Sequence, residues 1–102
     1  MKIIQIVTDH INEEIADAKA YAKLALENKD TYRSLAEVFY SLSNEEMRHS
    51  NILHGEVVKL IAEYRQQHGE PPVEMLAVYD YLHRKSIDAA EEVKRYQQMF
   101  QA

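Results

Sequence analysis

The chain has 102 residues, a formal net charge of −5 at pH 7, no cysteine, two glycines and two prolines. A chain of this length forms a single domain, 1–102, and its many good helix formers predict an all-α fold. The acidic charge argues against nucleic-acid binding, and the lack of cysteine excludes disulfides, thiol catalysis, iron–sulfur clusters and cysteine-bound zinc.

Two polar turns divide the chain into three predicted helices, at roughly 3–27, 31–68 and 72–100. In the first turn, Asn28 is expected to close one helix and Asp30 to cap the next. In the second turn, Gly69 suits a left-handed C-terminal cap. The two prolines that follow it end the second helix and permit the first turn of a third.

One apolar run lies near the start of the sequence, Ile3-Ile4-Gln5-Ile6-Val7, and stops at Thr8. It is far shorter than a signal-peptide core or a membrane span. We therefore expect no membrane partner, no nucleic-acid partner and a cytoplasmic location.

The first helix carries a stripe of apolar residues spaced by about one or two turns, namely Val7, Ile11, Ala18, Tyr21 and Ala25. Glu14 lies one turn after Ile11 and one turn before Ala18. The stripe therefore predicts a carboxylate at a core position of this helix.

The second helix has the same pattern, with steps of four and three, through Leu35, Phe39, Leu42, Glu46, His49, Leu53, Glu56 and Leu60. Glu46 and His49 lie at its centre and, being three residues apart, share one face of the helix. Burying such groups without a counterion is costly, so a bound cation is the simplest explanation. Oxygen and imidazole ligands suit iron, manganese or zinc.

A rival interpretation concerns Ser43-Asn44-Glu45-Glu46, which also fits a capping box that would begin a new helix at this point. The apolar stripe continues through Leu42 without a change of phase, and neither glycine nor proline precedes Ser43. We therefore predict one continuous helix.

The third helix has a stripe made of Val73, Leu76, Ala77, Asp80, His83, Ile87 and Ala90, continued by Val93, Met99 and Phe100. Asp80 and His83 repeat the three-residue spacing, and are either a second metal half-site or a hydrogen-bonded polar pair. Glu56 is either a further ligand or one partner of a salt bridge to a neighbouring helix.

The remaining polar candidates each have a functional and a structural interpretation. His10 either lines an access path to Glu14 or lies on the surface near the start of its helix. Tyr21 either hydrogen-bonds a ligand or belongs to the core with its hydroxyl satisfied. His54 and His68 are predicted to lie at the surface.

The combination of Glu14, Tyr21 seven residues later, and Glu46-Met47-Arg48-His49 resembles the first half of the ferritin-like di-iron fold, nearest to rubrerythrins and the short encapsulated ferritins. The resemblance covers roughly residues 7–60. It implies a di-iron site, for which that family uses a glutamate from each of two helices and a Glu-x-x-His pair from each of two others.

This resemblance implies that one chain supplies half a site, through Glu14, Glu46 and His49. Two copies would complete the ligand set in a four-helix bundle with the metals on the symmetry axis, so a homodimer or higher homo-oligomer is expected. Oxidation of ferrous iron by oxygen or peroxide is the reaction that the resemblance suggests. The chain departs from rubrerythrins in having no cysteine for a rubredoxin-type centre, and it is too short for a four-helix ferritin subunit.

A second hypothesis belongs to a different class of protein. The chain would be a structural or adaptor helical dimer, with a vestigial or metal-free polar site, whose second and third helices present a surface to a protein partner. The length of the second helix favours it, because some 38 residues span about 57 Å, more than a metal site requires.

Overall fold

The computed structural model describes residues 2–102, which form three helices, α1 (Lys2–Glu27), α2 (Arg33–His68) and α3 (Val73–Gln101). No strand occurs in this range, so the all-α, three-helix prediction is confirmed. Every predicted boundary lies within two residues of the observed one. The bundle is elongated and measures 55 × 19 × 18 Å.

The first turn forms as predicted at one end only. The Asn28 side-chain amide donates a hydrogen bond of 2.8 Å to the Leu24 carbonyl and so closes α1. The predicted Asp30 cap is wrong, because Tyr32 is the residue that immediately precedes α2. The Tyr32 N–H itself bonds to the Asn28 carbonyl at 2.9 Å, so helix-like hydrogen bonding carries the chain past Asp30.

The second turn agrees with the prediction in placing Gly69 at the end of α2 with a positive φ, although its ψ of −158° lies outside the left-handed helical region. Gly69 has a φ of 79°, which is the positive region that favours glycine, and its N–H donates to the Arg65 carbonyl at 3.0 Å. Pro72 directly precedes α3, where its missing N–H costs no helical hydrogen bond.

Helix α1 lies between the other two helices and packs against both. It runs antiparallel to α2, as the order of the contacting pairs Glu14–His49, Ala18–Ser43 and Tyr21–Phe39 indicates. It runs parallel to α3, as indicated by the pairs Asn12–Ser86, Lys19–Glu92 and Lys29–Ala102. The backbones of α2 and α3 stay apart, and a groove of about 200 Å³ lies between them.

The buried faces of the helices differ from the predicted stripes by part of a turn. On α2 the buried residues are Ala36, Ser43, Ser50, Val57 and Ile61, whereas Leu35 is 46% exposed. On α1 the alanines Ala18, Ala22 and Ala25 have no exposed surface. Small residues allow the two helix backbones to approach closely, so the larger leucines lie at the border of the interface.

The third predicted stripe also needs correction. The buried residues of α3 are Ser86, Val93 and Phe100, whereas Asp80 and Ile87 are exposed. Val93 and Phe100 belong to the predicted stripe and are buried, but Asp80 and Ile87 are not, because α3 packs mainly on α1. Its side facing the groove therefore keeps solvent contact.

Candidate metal centre

Three of the predicted site residues lie together in the structure. Glu14 comes from the middle of α1, and Glu46 and His49 come from consecutive turns of α2. One potential ligand atom from each residue lies within 4.8 Å of the other two. The closest described approach to the imidazole is 3.7 Å, from His49 Nδ1 to Glu14 Oε2. The antiparallel packing of α1 and α2 therefore produces the convergence.

The cluster lies at the edge of the α1–α2 interface, so the prediction that these groups occupy core positions is wrong. The Glu14 side chain is 21% exposed and the His49 side chain is 45% exposed. Glu46 is half-buried. The reason is that the small residues of both helices take the centre of the interface, and the larger polar groups are displaced to its border.

Helix geometry places the cluster on the side of the bundle away from α3. Glu14 is rotated by about 140° around α1 from Lys19, which pairs with Glu92 of α3. His49 is rotated by a similar angle around α2 from His54, which stacks on α3. The outer surface that α1 and α2 share therefore carries the site.

Glu14 perturbs the titration of Glu46. A hydrogen bond with Glu14 is the largest cause that raises the pKa of Glu46 to about 7, followed by burial and the charge of Glu14. The charge of Asp17 acts in the same direction, and His49 opposes it. In the absence of a cation, the carboxyl pair therefore retains a proton close to neutral pH.

The donor set has a defined chemistry. Two carboxylates and an imidazole suit first-row divalent metals such as iron, manganese and zinc. A cation between the carboxylates would take the place of the proton that they share, and three protein ligands would leave further coordination positions open. The residues present therefore fit a metal ion. They also form a hydrogen-bonded polar group by themselves.

Neither alternative for Asp80 and His83, a second metal half-site or a hydrogen-bonded polar pair, is found among residues 2–102. Asp80 is exposed, and the His83 ring instead stacks on the His54 ring, with centroids 4.9 Å apart and planes at 13°. The Tyr79 ring lies on His83 as well, at 5.6 Å. The prediction that His54 is a surface residue is only partly right, because the side chain is half-buried beside α3. Burial together with His83 lowers its pKa. His68 is exposed, as predicted.

The other candidates have structural environments. Glu56 is exposed and pairs at 3.3 Å with Lys59 of its own helix, not with a neighbouring helix. His10 is exposed and lies 3.4 Å from Glu13, one turn along α1. Tyr21 belongs to the aromatic pair between α1 and α2.

Sequence reasoning missed the role of Ser43. The rival capping box does not form, and the predicted continuous helix is confirmed, because α2 runs unbroken from Arg33 to His68. Ser43 is fully buried and its hydroxyl donates to the Ala18 carbonyl of α1 at 2.7 Å. A signal was available in the sequence, since small residues recur every seven positions at the buried centre of α2, at Ala36, Ser43, Ser50 and Val57.

Comparison of the chain with family models, with curated proteins and with solved structures finds no match. The resemblance to the ferritin-like family therefore stays a prediction that depends on the residues alone. Among residues 2–102, no helix has the length and apolar character needed to cross a membrane.

Proposed function

We propose that this chain is a ferritin-like metal-binding protein with a carboxylate–histidine site, a di-iron site in its most specific form. The observation that carries the proposal is the convergence of Glu14, Glu46 and His49, whose donor atoms lie within 4.8 Å of one another. Manganese and zinc are the alternative metals, because the same donors accept them.

A second copy of the chain would complete the site. One chain offers two carboxylates and one imidazole, which is half of the set that ferritin-like proteins use for a metal pair. A two-fold axis at the cluster would bring in the same residues from the partner and form a four-helix bundle from two α1–α2 pairs. The position of the cluster on the outer surface of this pair leaves room for such an arrangement.

The surface around the cluster supports association with a second copy. Six large apolar residues within roughly 80° of Glu14 or His49 around the helix axes are between about one-third and one-half exposed. They are Ile3, Ile6, Leu24, Leu35, Val38 and Ile52. Thirteen large apolar residues are exposed among residues 2–102, and the six on this side of the α1–α2 pair are those that a second copy would cover.

The proposed reaction is oxidation of ferrous iron by oxygen or peroxide, with iron as the substrate. Glu14, Glu46 and His49 would hold the metal, and the carboxyl pair would release its shared proton when the cation binds. The bound metal would supply the redox chemistry of the site. The part of the protein is to bring the ligands together and leave coordination positions open.

The test adds ferrous iron aerobically to the wild-type protein and follows near-ultraviolet absorbance. Glu46→Ala should lose the absorbance change, and Glu45→Ala should retain it, because Glu45 is the exposed neighbour on the same helix. Light scattering with metal analysis should give a dimer, or a multiple of it, with two irons per pair of chains. A monomer that binds two irons would refute the shared site.

The adaptor hypothesis remains the second candidate. It is favoured by the polar cluster itself, because a hydrogen bond between Glu46 and Glu14 would satisfy the carboxyl pair without a metal. Equal absorbance traces for the wild type and Glu46→Ala, in a protein that is still dimeric, would support the adaptor and contradict the metal site.

A further inference from the structure

One hydroxyl group connects all three helices next to the candidate metal centre. The Ser43 side chain of α2 has no exposed surface, and its Oγ donates to the Ala18 carbonyl of α1 at 2.7 Å. The same oxygen accepts a hydrogen bond of 2.9 Å from Gln97 Nε2 of α3. The hydroxyl therefore uses its proton towards one helix and a lone pair towards another.

The hydrogen bond from Gln97 gives the hydroxyl a direction. A serine hydroxyl has one proton and rotates freely unless its partners hold it. Because the amide of Gln97 occupies a lone pair of Ser43 Oγ, the proton is left for the Ala18 carbonyl. Helix α3 thereby acts on the contact between α1 and α2, although it lies on the opposite side from the metal ligands.

The position of this hydrogen bond along the helices relates it to the ligands. Ser43 lies three residues before Glu46 on α2, and Ala18 lies four residues after Glu14 on α1. Each end of the bond is thus about one helical turn from a ligand. A sliding movement of α1 along α2 would lengthen the bond and separate Glu14 from His49.

We propose that Ser43 is a positioning residue for the metal centre. Its bond to Ala18 sets the axial register of α1 against α2, and Gln97 orients the hydroxyl that makes the bond. The inference rests on the proposed function, since it assigns a role within that site. It adds a part for α3, which contributes none of the three ligands.

Ser50 provides a matched control within the same helix. It is also buried, at 2% exposed, and it also uses its hydroxyl as a donor. Its bond of 2.8 Å goes to the Met47 carbonyl of its own helix, so it cannot set the register between helices. Alanine at position 43 or at position 50 removes the same atom from a similarly buried place.

The first measurement is a titration with Co²⁺ alone, which reports affinity and, through its visible absorption bands, the coordination geometry. Ser43→Ala should weaken Co²⁺ binding by about tenfold or more and shift the bands, as is typical of residues that orient metal ligands. Ser50→Ala should stay within about twofold of the wild type and keep its bands. Gln97→Leu, which retains the serine hydroxyl, should fall between them.

The second measurement needs no metal. Crystal structures of the Ser43→Ala and Ser50→Ala proteins give the separation of His49 Nδ1 and Glu14 Oε2, which is 3.7 Å here. We expect this distance to lengthen in Ser43→Ala and, to a smaller extent, in Gln97→Leu, but not in Ser50→Ala, because the hydrogen bond that fixes the axial register is lost in the first and weakened in the second.

The two measurements separate the two proposals. If Ser43→Ala binds Co²⁺ like Ser50→Ala and keeps the 3.7 Å separation, Ser43 has no positioning role. If the wild type binds no Co²⁺ but the separation lengthens in Ser43→Ala, the metal site is refuted while the register role stands. If Ser43→Ala is too unstable to crystallise, Gln97→Leu decides. Weaker Co²⁺ binding and a longer separation than in Ser50→Ala support the positioning role, and values equal to those of Ser50→Ala overturn it.

Discussion

Replacing Glu46 by glutamine should change the stability of the protein in opposite directions with and without metal. The substitution keeps the shape of the side chain and removes its charge. Without metal, Glu46 has a pKa of about 7 in the folded protein, against its ordinary 4.5. The folded state therefore binds this proton more tightly than the unfolded state does, and wild-type stability should fall as pH rises from about 4.5 to above 7.

The size of this effect follows from the same difference. One pKa unit corresponds to roughly 1.4 kcal/mol. The full difference in pKa therefore limits the loss of folding stability above pH 7 to about 3 kcal/mol. The cluster is partly exposed and solvent screens its charges, so we expect about 1 kcal/mol. Glu46→Gln should therefore be more stable than the wild type at pH 8, and this gain should disappear at pH 4.

Metal should reverse the order of the two proteins. Mn²⁺ is suitable because it is not oxidised readily during the measurement. At one hundred times its dissociation constant, a ligand stabilises the folded state by about 2.7 kcal/mol, which raises the melting temperature of a domain of this size by roughly 10 °C or more. Glu46→Gln should gain far less, because it has lost a ligand.

The assay is thermal unfolding followed by circular dichroism at pH 4, 6 and 8, with and without Mn²⁺. Glu45→Gln is the control, since it makes the same change at the exposed neighbouring position. If Glu46→Gln and Glu45→Gln show the same dependence on pH, the carboxyl pair does not share a proton. If Mn²⁺ stabilises both variants and the wild type equally, it does not bind at Glu46.

Three further predictions concern the rest of the fold. Burial and a neighbouring histidine lower the pKa of His54, so the free energy of unfolding should decrease as pH falls through 6.5 and below. Urea unfolding at pH 7.5 and 5.5 measures this decrease. It should be smaller in His54→Gln than in the exposed control His68→Gln. Leu35→Glu should convert a dimer to a monomer in analytical ultracentrifugation. Val73→Glu, at a position 79% exposed on α3, should leave the dimer intact. The reverse result would place the interface elsewhere. Phe100→Ala should lower the free energy of unfolding by about 3 to 5 kcal/mol in chemical denaturation, because this residue is only 5% exposed. A loss below about 1 kcal/mol would show that the end of α3 contributes little to stability.

The helices were predictable because their signals are local. Asn28, Gly69 and Pro72 act within one turn of the chain, and the structure has helix ends near all three. Asp30 misled the prediction because a capping residue is also a good turn residue. The two uses look alike in sequence.

The face that each helix buries was less predictable, because it depends on how closely the helix backbones approach each other. The predicted stripe of the second helix, read from steps of three and four, runs through Leu35 and Leu42. In the structure, Ala36 and Ser43 occupy the centre of the α1–α2 interface. Small residues can be buried on either side of a helix, so their periodicity becomes informative only when the partner helix is known.

The candidate site was predictable in its members and not in its surroundings. Glu14, Glu46 and His49 interrupt apolar stripes, and that interruption is visible without coordinates. The exposure of these three side chains was not predictable, because it depends on how α1 and α2 are rotated about their own axes when they pack. The contact of His83 with His54 joins residues 29 positions apart in the chain, so no local pattern could indicate it.

The buried alanines of α1 give the site an adjustable size. Ala18, Ala22 and Ala25 have no exposed surface, so any larger side chain there must push a neighbouring helix outward. Such a displacement would widen the triangle of donors without altering a ligand. In the proposed metal site, ions of different radius would then be accepted in a different order of preference, with the larger Mn²⁺ gaining over Zn²⁺. Selectivity among metals could therefore drift through substitutions that never contact the ion.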